Sequence, residues 1–591
     1  MDAAFSQIDF GPLTPYLEND DITDVSYSNN GQIHLKTLSR GIFREENEEI
    51  NNAFMEKLAF NLSVSLTIVA VLILIGATSS KLASIVNACS QRISSVSQHP
   101  VKPVSFFLSR VAAWINVPVL VMFLAVGMLA GSEGFGGIYY EDAFSANVIG
   151  TIAMAFILYS GGYDTSWRSV KSVIGYGSIL SSIGVLLTAV AVGFGAYGFF
   201  PLLDLNYPLS WCLLLGSIVS STDAAAVFAI LRSKSVSLKG KLQPLLEYES
   251  GSNDPMATFL TLFMIDVITR PEATSYWSIL WTFPMRMGIG ILLGLVIGKL
   301  AAKYFDNIDF DYDGLYYVIG IGVVLLTYGL ADWGFGVEYL RGNGFMAVYV
   351  CGMMMGNSKF TYQYGLGRFH DGIAWLMQVT LFGMLGLLVF PSGLLKAIWL
   401  GLGVSLIMMF IARPLVVFLC MIGSKFTIRE RTFVSWVGLR GGAPIMLATF
   451  PLMYKESIPD SNVMFNIVFL IVLTSVVFQG KTLMPFAKVL GLDKPLKVSP
   501  RVPLEFENTG TLDGEMKEFE VMESAPFIGK RLSELGLPPG ALVLLIRRGH
   551  QFVVPRGNTK ILLHDSLMVL GEGNLLHDVE KILGKSSDDE E

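Results

Sequence analysis

Long apolar runs alternate with short polar loops from about residue 63 to about residue 490, and the chain is polar at both ends. A helix crossing the hydrocarbon core needs roughly 20 apolar residues, fewer where it is short or broken. By that rule the spans fall at about 63–85, 113–131, 147–160, 173–200, 210–231, 244–268, 277–304, 313–331, 344–356, 373–391, 394–421, 431–453 and 461–488. The pattern predicts an all-α polytopic membrane protein of about thirteen transmembrane helices, the third and ninth of them short. After residue 514 it changes to strand, helix, strands, helix: EFEVM, IGKRLSEL, ALVLLIRR, QFVV, SLMVLGE and LLHDVEKIL. Alternating apolar residues around a Gly549-His550 turn suit a half-buried antiparallel sheet, so residues 514–585 are expected to form a small cytoplasmic α+β domain. Residues 491–513 would be a linker and 586–591 an acidic tail.

Composition narrows the class. Of 591 residues 52% are hydrophobic and 15% charged, against about 25% charged in soluble domains, which excludes an ordinary soluble enzyme. The formal charge is -7 with no strongly basic block, so no nucleic-acid partner is implied. Cys89, Cys212, Cys351 and Cys420 form no close pair, which argues against a metal site or a disulfide framework, and no cofactor is implied. Residues 1–62 are polar and acidic, lack a basic stretch leading into an apolar one, and so are not a secretory signal. Their PLTPYLENDDITDV run resembles the N-terminal part of secretion or conjugation ATPases, but no nucleotide-binding loop follows and no role is assigned to this extension. Lys and Arg are retained on the cytoplasmic side of a membrane. The loops after odd-numbered spans hold roughly sixteen of them against about four after even-numbered spans. The N-terminus is therefore expected outside and the C-terminus in the cytoplasm.

Ionisable residues within spans cost at least a few kcal/mol each and mark function by default. The fifth span carries Ser220, Ser221, Thr222 and Asp223 before an alanine-rich half, an N-cap pattern in mid-membrane. The sixth carries Glu249, Ser250, Asn253, Asp254 and Pro255. Ser250 and Asp254 are four apart, as are Glu249 and Asn253, which sets the four on neighbouring strips of one helical face. Pro255 has no N–H for the carbonyl of Gly251, freeing an oxygen beside Asp254. Carboxylate, amide oxygen, hydroxyl and carbonyl together suit an alkali cation. The eleventh and twelfth spans add Arg413 and Arg440, and Gly438, Gly441, Gly442 and Pro444 should loosen the twelfth. If spans 1–6 and 8–13 are inverted repeats, the interruptions fall at the fifth position of each, where transporters bind their substrates. Glu249 and Arg413, unlike charges at comparable depth, are expected to pair.

The elements SSTDAAAV, ESGSNDPMA, ARPL and GLRGGAP, in that order, resemble the monovalent cation/proton antiporter superfamily, and within it the NhaP-type bacterial potassium/proton antiporters, or cell volume regulation proteins. The likeness covers about residues 63–490. The segment 514–585 resembles the TrkA-C or RCK-C domain of potassium-transport regulators. The resemblance implies that Asp254 carries cation and proton alternately. It implies that Asn253, Asp223, Thr222 and Ser250 line or steady the cation site, that Glu249 and Arg413 form a structural ion pair, and that Arg440 has a role in the GLRGG element. It also implies a homodimer in the bacterial cytoplasmic membrane. Ser160 stands where some members have an acidic residue, with Asp164 one turn away.

The expected activity is exchange of K+ for H+. Because Asn253 stands where a second carboxylate would add a charge, one cation per proton and electroneutral exchange are expected. A sodium/proton exchanger and a channel or sensor gated by the tail are the alternatives. The tail could bind a small molecule such as a nucleotide, with Arg547, Arg548 and Arg556 as anion contacts or as solvated surface charge. His370, placed by the hydropathy pattern in a short cytoplasmic loop beside Asp371, is read as locally hydrogen-bonded rather than metal-ligating.

Overall fold

The computed structural model describes strands at 22–28, 32–37 and 41–46, then residues 119–495 and 515–583 apart from short segments at 224–226, 229–230, 232–235, 273–275, 308–313, 335–336, 338–339, 522–526, 550 and 572. The first expected span, 63–85, lies outside the described residues. The chain divides into two compact units, 1–115 and 116–591. In the first, β1 (Ile22–Ser28), β2 (Gln32–Thr37) and β3 (Gly41–Glu46) form an antiparallel meander, with Leu35 opposite both Val25 and Phe43.

The second unit is built of helices α1 (Val119–Ala130), α2 (Ala143–Asp164), α3 (Ile174–Leu203), α4 (Leu209–Ile218), α5 (Leu242–Thr269), α6 (Ile279–Asn307), α7 (Gly314–Trp333), α8 (Gly344–Gly356), α9 (Gln363–Leu387), α10 (Pro391–Cys420), α11 (Ile428–Trp436), α12 (Gly442–Met453) and α13 (Ser461–Leu490). Among the described residues six of these, α2, α3, α6, α7, α10 and α13, are long and apolar enough to cross a membrane. Helix α5 has the length too, but Glu247, Glu249, Asp254 and Asp266 interrupt its apolar run. Local chemistry fixes the helix starts. Asp142 accepts from the amides of Phe144 and Ser145, each at 3.1 Å, to open α2. Thr427 and Glu430 form a capping box ahead of α11. Glu133 accepts from the Ser392 amide at 2.7 Å at the head of α10, whose first residue is Pro391.

The helices pack as two groups. One holds α1, α2 and α6–α9; the other holds α3–α5 and α10–α13; and they meet chiefly where α5 and α12 lie against α2, α8 and α9. Small residues allow backbone contact within each group, as expected where lipid supplies no hydrophobic drive between helices. A Cβ on Gly162 would strike the carbonyl of Tyr349, and one on Gly352 or Gly356 would strike the backbone of Tyr159 or Tyr163, so α2 and α8 touch main chain to main chain. Gly216 of α4 meets the Ala189 carbonyl of α3 in the same way.

Several expectations are corrected. The third span is not short: α2 runs 22 residues, because the Asp142 cap and a polar last turn extend it beyond the apolar stretch at 147–160. The tenth helix begins at Gln363 rather than 373, because the polar, glycine-rich run QYGLGRFHDG hides a first membrane-proximal stretch from a hydropathy rule. His370 therefore lies inside α9, buried at 1% exposure, with its ring centroid 4.7 Å from that of Tyr159. It is not in a loop, and among the described residues neither ring nitrogen has a hydrogen-bond partner in place of the local bonding expected. In the tail, IGKRLSEL is a turn and a short 3-10 segment, Leu532–Glu534, rather than a helix. Gly529 and Gly536 both adopt positive φ there, and Arg531 bridges to Lys560 as in a sheet.

The C-terminal segment pairs β6 (Glu515–Glu520), β9 (Asp565–Gly571), β7 (Leu542–Arg548) and β8 (Gln551–Val553) in that spatial order, all antiparallel. Phe519, Ile546, Leu567 and Val569 from the sheet bury against Leu576 and Val579 of α14 (Gly573–Leu583). Arg547 and Arg548, read above as anion contacts or as solvated surface charge, pair with Glu518 at 2.7 Å and with Asp565 at 2.8 Å. Ahead of this sheet, β5 (Asp493–Pro495) pairs antiparallel with β4 (Val236–Leu238), so the segment leaving α13 is stitched to the loop that precedes α5.

Replacing Gly352 by leucine is expected to force α2 and α8 apart at an overpacking cost of about 1–3 kcal/mol, seen as a lowered thermal midpoint of the purified protein. Gly161→Ala, where no atom lies within 4 Å of the new carbon, should leave that midpoint unchanged.

Candidate functional site

Two helices break in mid-course. Helix α4 stops at Ile218, residues 219–223 are unwound, and helical backbone returns at Val227. Helix α11 stops at Trp436, residues 437–441 are unwound, and α12 begins at Gly442. Ser220, Ser221 and Thr222 offer side-chain hydrogen bonds that compete with the helix ladder, and Gly438 and Gly441 weaken it by their freedom. The two unwound segments touch: the Asp223 amide donates to the Leu439 carbonyl at 2.8 Å.

Each break exposes helix-end dipoles, and a charge meets one end at each break. Arg440, fully buried, donates through Nη1 to the carbonyls of Ser220 at 3.1 Å and Ser221 at 2.5 Å, at the negative end of α4. The Asp223 carboxylate lies so close to Gly441, just before the positive end of α12, that a Cβ there would collide with it. Sequence left the role of Arg440 open; the structure makes it the clasp between the two breaks. Ser475 accepts from the Arg440 amide at 3.0 Å, and Gln479 donates to the Trp436 carbonyl at 2.9 Å. Neither was singled out from sequence, although two polar residues four apart in the apolar α13 were a readable signal.

Helix α5 crosses beside the breaks and continues through Pro255. Its Glu249 and Asn253 are buried, whereas Ser250 and Asp254 are part-exposed, so the two strips expected from the spacing face different surroundings. Ser250 Oγ donates to the Thr222 carbonyl at 2.8 Å. Asn253 donates to the Thr222 hydroxyl and, at 3.3 Å, to the Thr222 carbonyl. Ser221 donates to Asp254 Oδ1. Thr222, Ser250, Asn253 and Asp254 are thus brought together with Ser221. Asn253 Oδ1 is buried and accepts no hydrogen bond among the described residues, which leaves an amide oxygen available near Asp254. Arg413 Nη2 donates to Glu249 Oε1 at 2.5 Å, with both side chains at least 96% buried. A Cβ on Gly438 would lie 2.9 Å from Arg413 Nε and 3.4 Å from a Thr222 methyl, so Arg413 packs against the second break where that break meets Thr222 of the first. Ser160 is buried in α2, and Asp164 sits at the exposed end of that helix.

Oxygen donors are therefore the chemistry on offer: the Asp254 carboxylate, the Asn253 amide oxygen, hydroxyls and loosened carbonyls, a set for a hard monovalent cation or a proton. Among the described residues no cluster of three or more His, Cys, Asp or Glu could hold a metal ion.

Residues 104–489 match the sodium/hydrogen exchanger, transmembrane, family, and residues 516–584 match the TrkA-C domain. The chain is 34% identical to the K(+)/H(+) antiporter NhaP of Alkalimonas amylolytica over 82% of each protein. It is 35% identical to the K(+)/H(+) antiporter NhaP2 of Shewanella oneidensis over 83% of each. The solved structure of the sodium proton antiporter MjNhaP1 from Methanocaldococcus jannaschii at pH 8 superposes with a TM-score of 0.56 at 25% identity, covering 64% of this chain and 96% of that one.

Neutralising one member of the Glu249–Arg413 pair would strand the other in a buried site, at about 3–5 kcal/mol. Glu249→Gln and Arg413→Gln should each lower the thermal midpoint strongly. The double variant should lose less than the sum of the two, a coupling that a double-mutant cycle measures directly.

Proposed function

The chain belongs to the sodium/hydrogen exchanger family, and on that premise we propose that it exchanges a monovalent cation, K+ foremost, for H+ by alternating access, with Asp254 holding either ion. One observation carries the reading: a part-exposed carboxylate deep in α5, touched by the hydroxyl of Ser221 where two broken helices cross. Asn253, Asp223, Thr222 and Ser250 steady the cation site, Glu249 and Arg413 hold α5 against α10, and Arg440 clasps the breaks. A bare Asp254 is costly to carry through the membrane, so only the loaded carboxylate crosses between access states, and loading by either ion makes the exchange obligatory. With an uncharged Asn253 beside it, one cation replaces one proton and the cycle is electroneutral. A net charge moved per cycle would instead couple the exchange to voltage at about 2.3 kcal/mol per 100 mV.

The names of the two bacterial relatives favour K+, whereas the archaeal structure, named a sodium proton antiporter, is the specific ground for Na+ as the second reading. We place the protein in a bacterial cytoplasmic membrane as a homodimer, N-terminus outside and C-terminus inside, with the TrkA-C domain open to a small-molecule ligand.

In vesicles with a trapped pH dye, the native protein should release the quench on addition of K+, and Asp254→Asn should abolish that response while folding normally. A response to Na+ alone would select the second reading. Exchange that survives in Asp254→Asn would remove Asp254 from its role. A clamp of 100 mV should leave the equilibrium ion distribution unchanged; a shift would refute electroneutrality.

A further inference from the structure

Buried polar contacts are few where the two helix groups meet, and the strongest placed of them involves a residue that the motifs do not contain. Asn343 Nδ2 donates to the carbonyl of Pro255 at 2.8 Å, directly next to Asp254, and Asn343 is only 8% exposed. Its backbone is pinned on its own side. The Asn343 amide donates to the Arg286 carbonyl of α6 at 2.9 Å, the preceding Gly342 amide donates to the Ala331 carbonyl of α7 at 2.8 Å, and a Cβ on Gly290 of α6 would press against the Asn343 carbonyl. Asn343 Oδ1 also caps α8, accepting from the Met346 amide at 3.0 Å. The Asn343 side chain thus ties α8 to the helix that bears the carboxylate, while the backbone of Gly342 and Asn343 anchors it to α7 and α6. A second buried bond crosses the same seam, from Asn147 Nδ2 of α2 to Thr449 Oγ1 of α12 at 3.0 Å.

We propose that Asn343 is a positioning residue that latches α5 in the access state seen here, with Asn147 as a second latch on α12. The inference rests on the alternating-access reading above. If the second group moves along the first by as little as one helical turn, about 5.4 Å, the Pro255 carbonyl leaves the reach of a fixed Asn343. The hydrogen bond then belongs to one state and is absent from the other, so its net worth biases the equilibrium between them by about 2- to 10-fold. The latch sits at the residue after Asp254, so the bias acts where the cation and proton compete.

Asn343→Ser retains a capping oxygen for α8 but removes the Nδ2 donor, and Asn147→Ala removes the second bond. In vesicles holding the full-length protein, each variant is expected to shift the apparent cation affinity measured from the two membrane faces in opposite directions, by about 2- to 10-fold in their ratio. A merely structural defect would lower the maximal rate with the ratio unchanged, and that result overturns the proposal. Spin labels at the exposed Tyr364 of the first group and Ile422 beside α10 of the second give a readout that needs no transport. A native distance distribution that Asn343→Ser redistributes supports the latch, and one that it leaves unaltered refutes it. Absence of exchange in the native protein would fail the antiporter reading by itself, and the distance measurement would still decide the latch.

Discussion

Hydrocarbon offers no hydrogen bonds, and that constraint organises this molecule. Wherever a membrane helix breaks, its freed amides and carbonyls must find partners within the protein. Here the breaks at 219–223 and 437–441 find them in each other: the Asp223 amide meets the Leu439 carbonyl, and the Arg440 guanidinium covers the carbonyls of Ser220 and Ser221. Neither interruption would be stable alone. Their crossing places polar backbone, two hydroxyls and a carboxylate in the middle of an otherwise apolar bundle, and so creates the site.

The charges follow from that crossing. Arg440 stands at the carbonyl end of one half-helix, and Asp223 just before the amide end of another, so each is offset by a dipole. Glu249 and Arg413 neutralise each other and pack against Gly438. Asp254 instead accepts from the Ser221 hydroxyl, and that difference in partnership sets it apart from the Glu249–Arg413 ion pair.

The segment that leaves the last helix packs against the supports of the site. Leu238 of β4 and Leu492 before β5 are buried in one cluster with Val437 and Leu439 of the second break, and with Leu242 and Leu245 at the start of α5. The strand pairing of 236–238 with 493–495 therefore joins the exit of the last helix to the connection between the two elements that carry Thr222 and Asp254. A displacement there has a packed path to the site rather than a flexible one.

Most of the architecture was legible in the sequence. Apolar runs, loop punctuation and isolated charges depend on composition along the chain, and burial in lipid is decided residue by residue. The same local signals gave the SSTD and GLRGG interruptions, because glycine clusters and hydroxyl runs weaken a helix wherever they occur. What they missed was local polarity inside a helix: QYGLGRFHDG reads as a loop until its Leu366 and His370 are buried against α2 and α7, and IGKRLSEL reads as a helix until two glycines at positive φ and a bridge to Lys560 hold it as turns. The Glu249–Arg413 pairing was inferable from depth and sign alone. The clasp of Arg440, the support from Ser475 and Gln479, and the reach of Asn343 to Pro255 were not. Sequence by itself marked the apolar runs that form the helices and the charges and helix-weakening residues that interrupt them. Tertiary structure decided which of those residues meet, because contacts between positions 88 or 220 residues apart depend on how helices pack and not on any pattern along the chain.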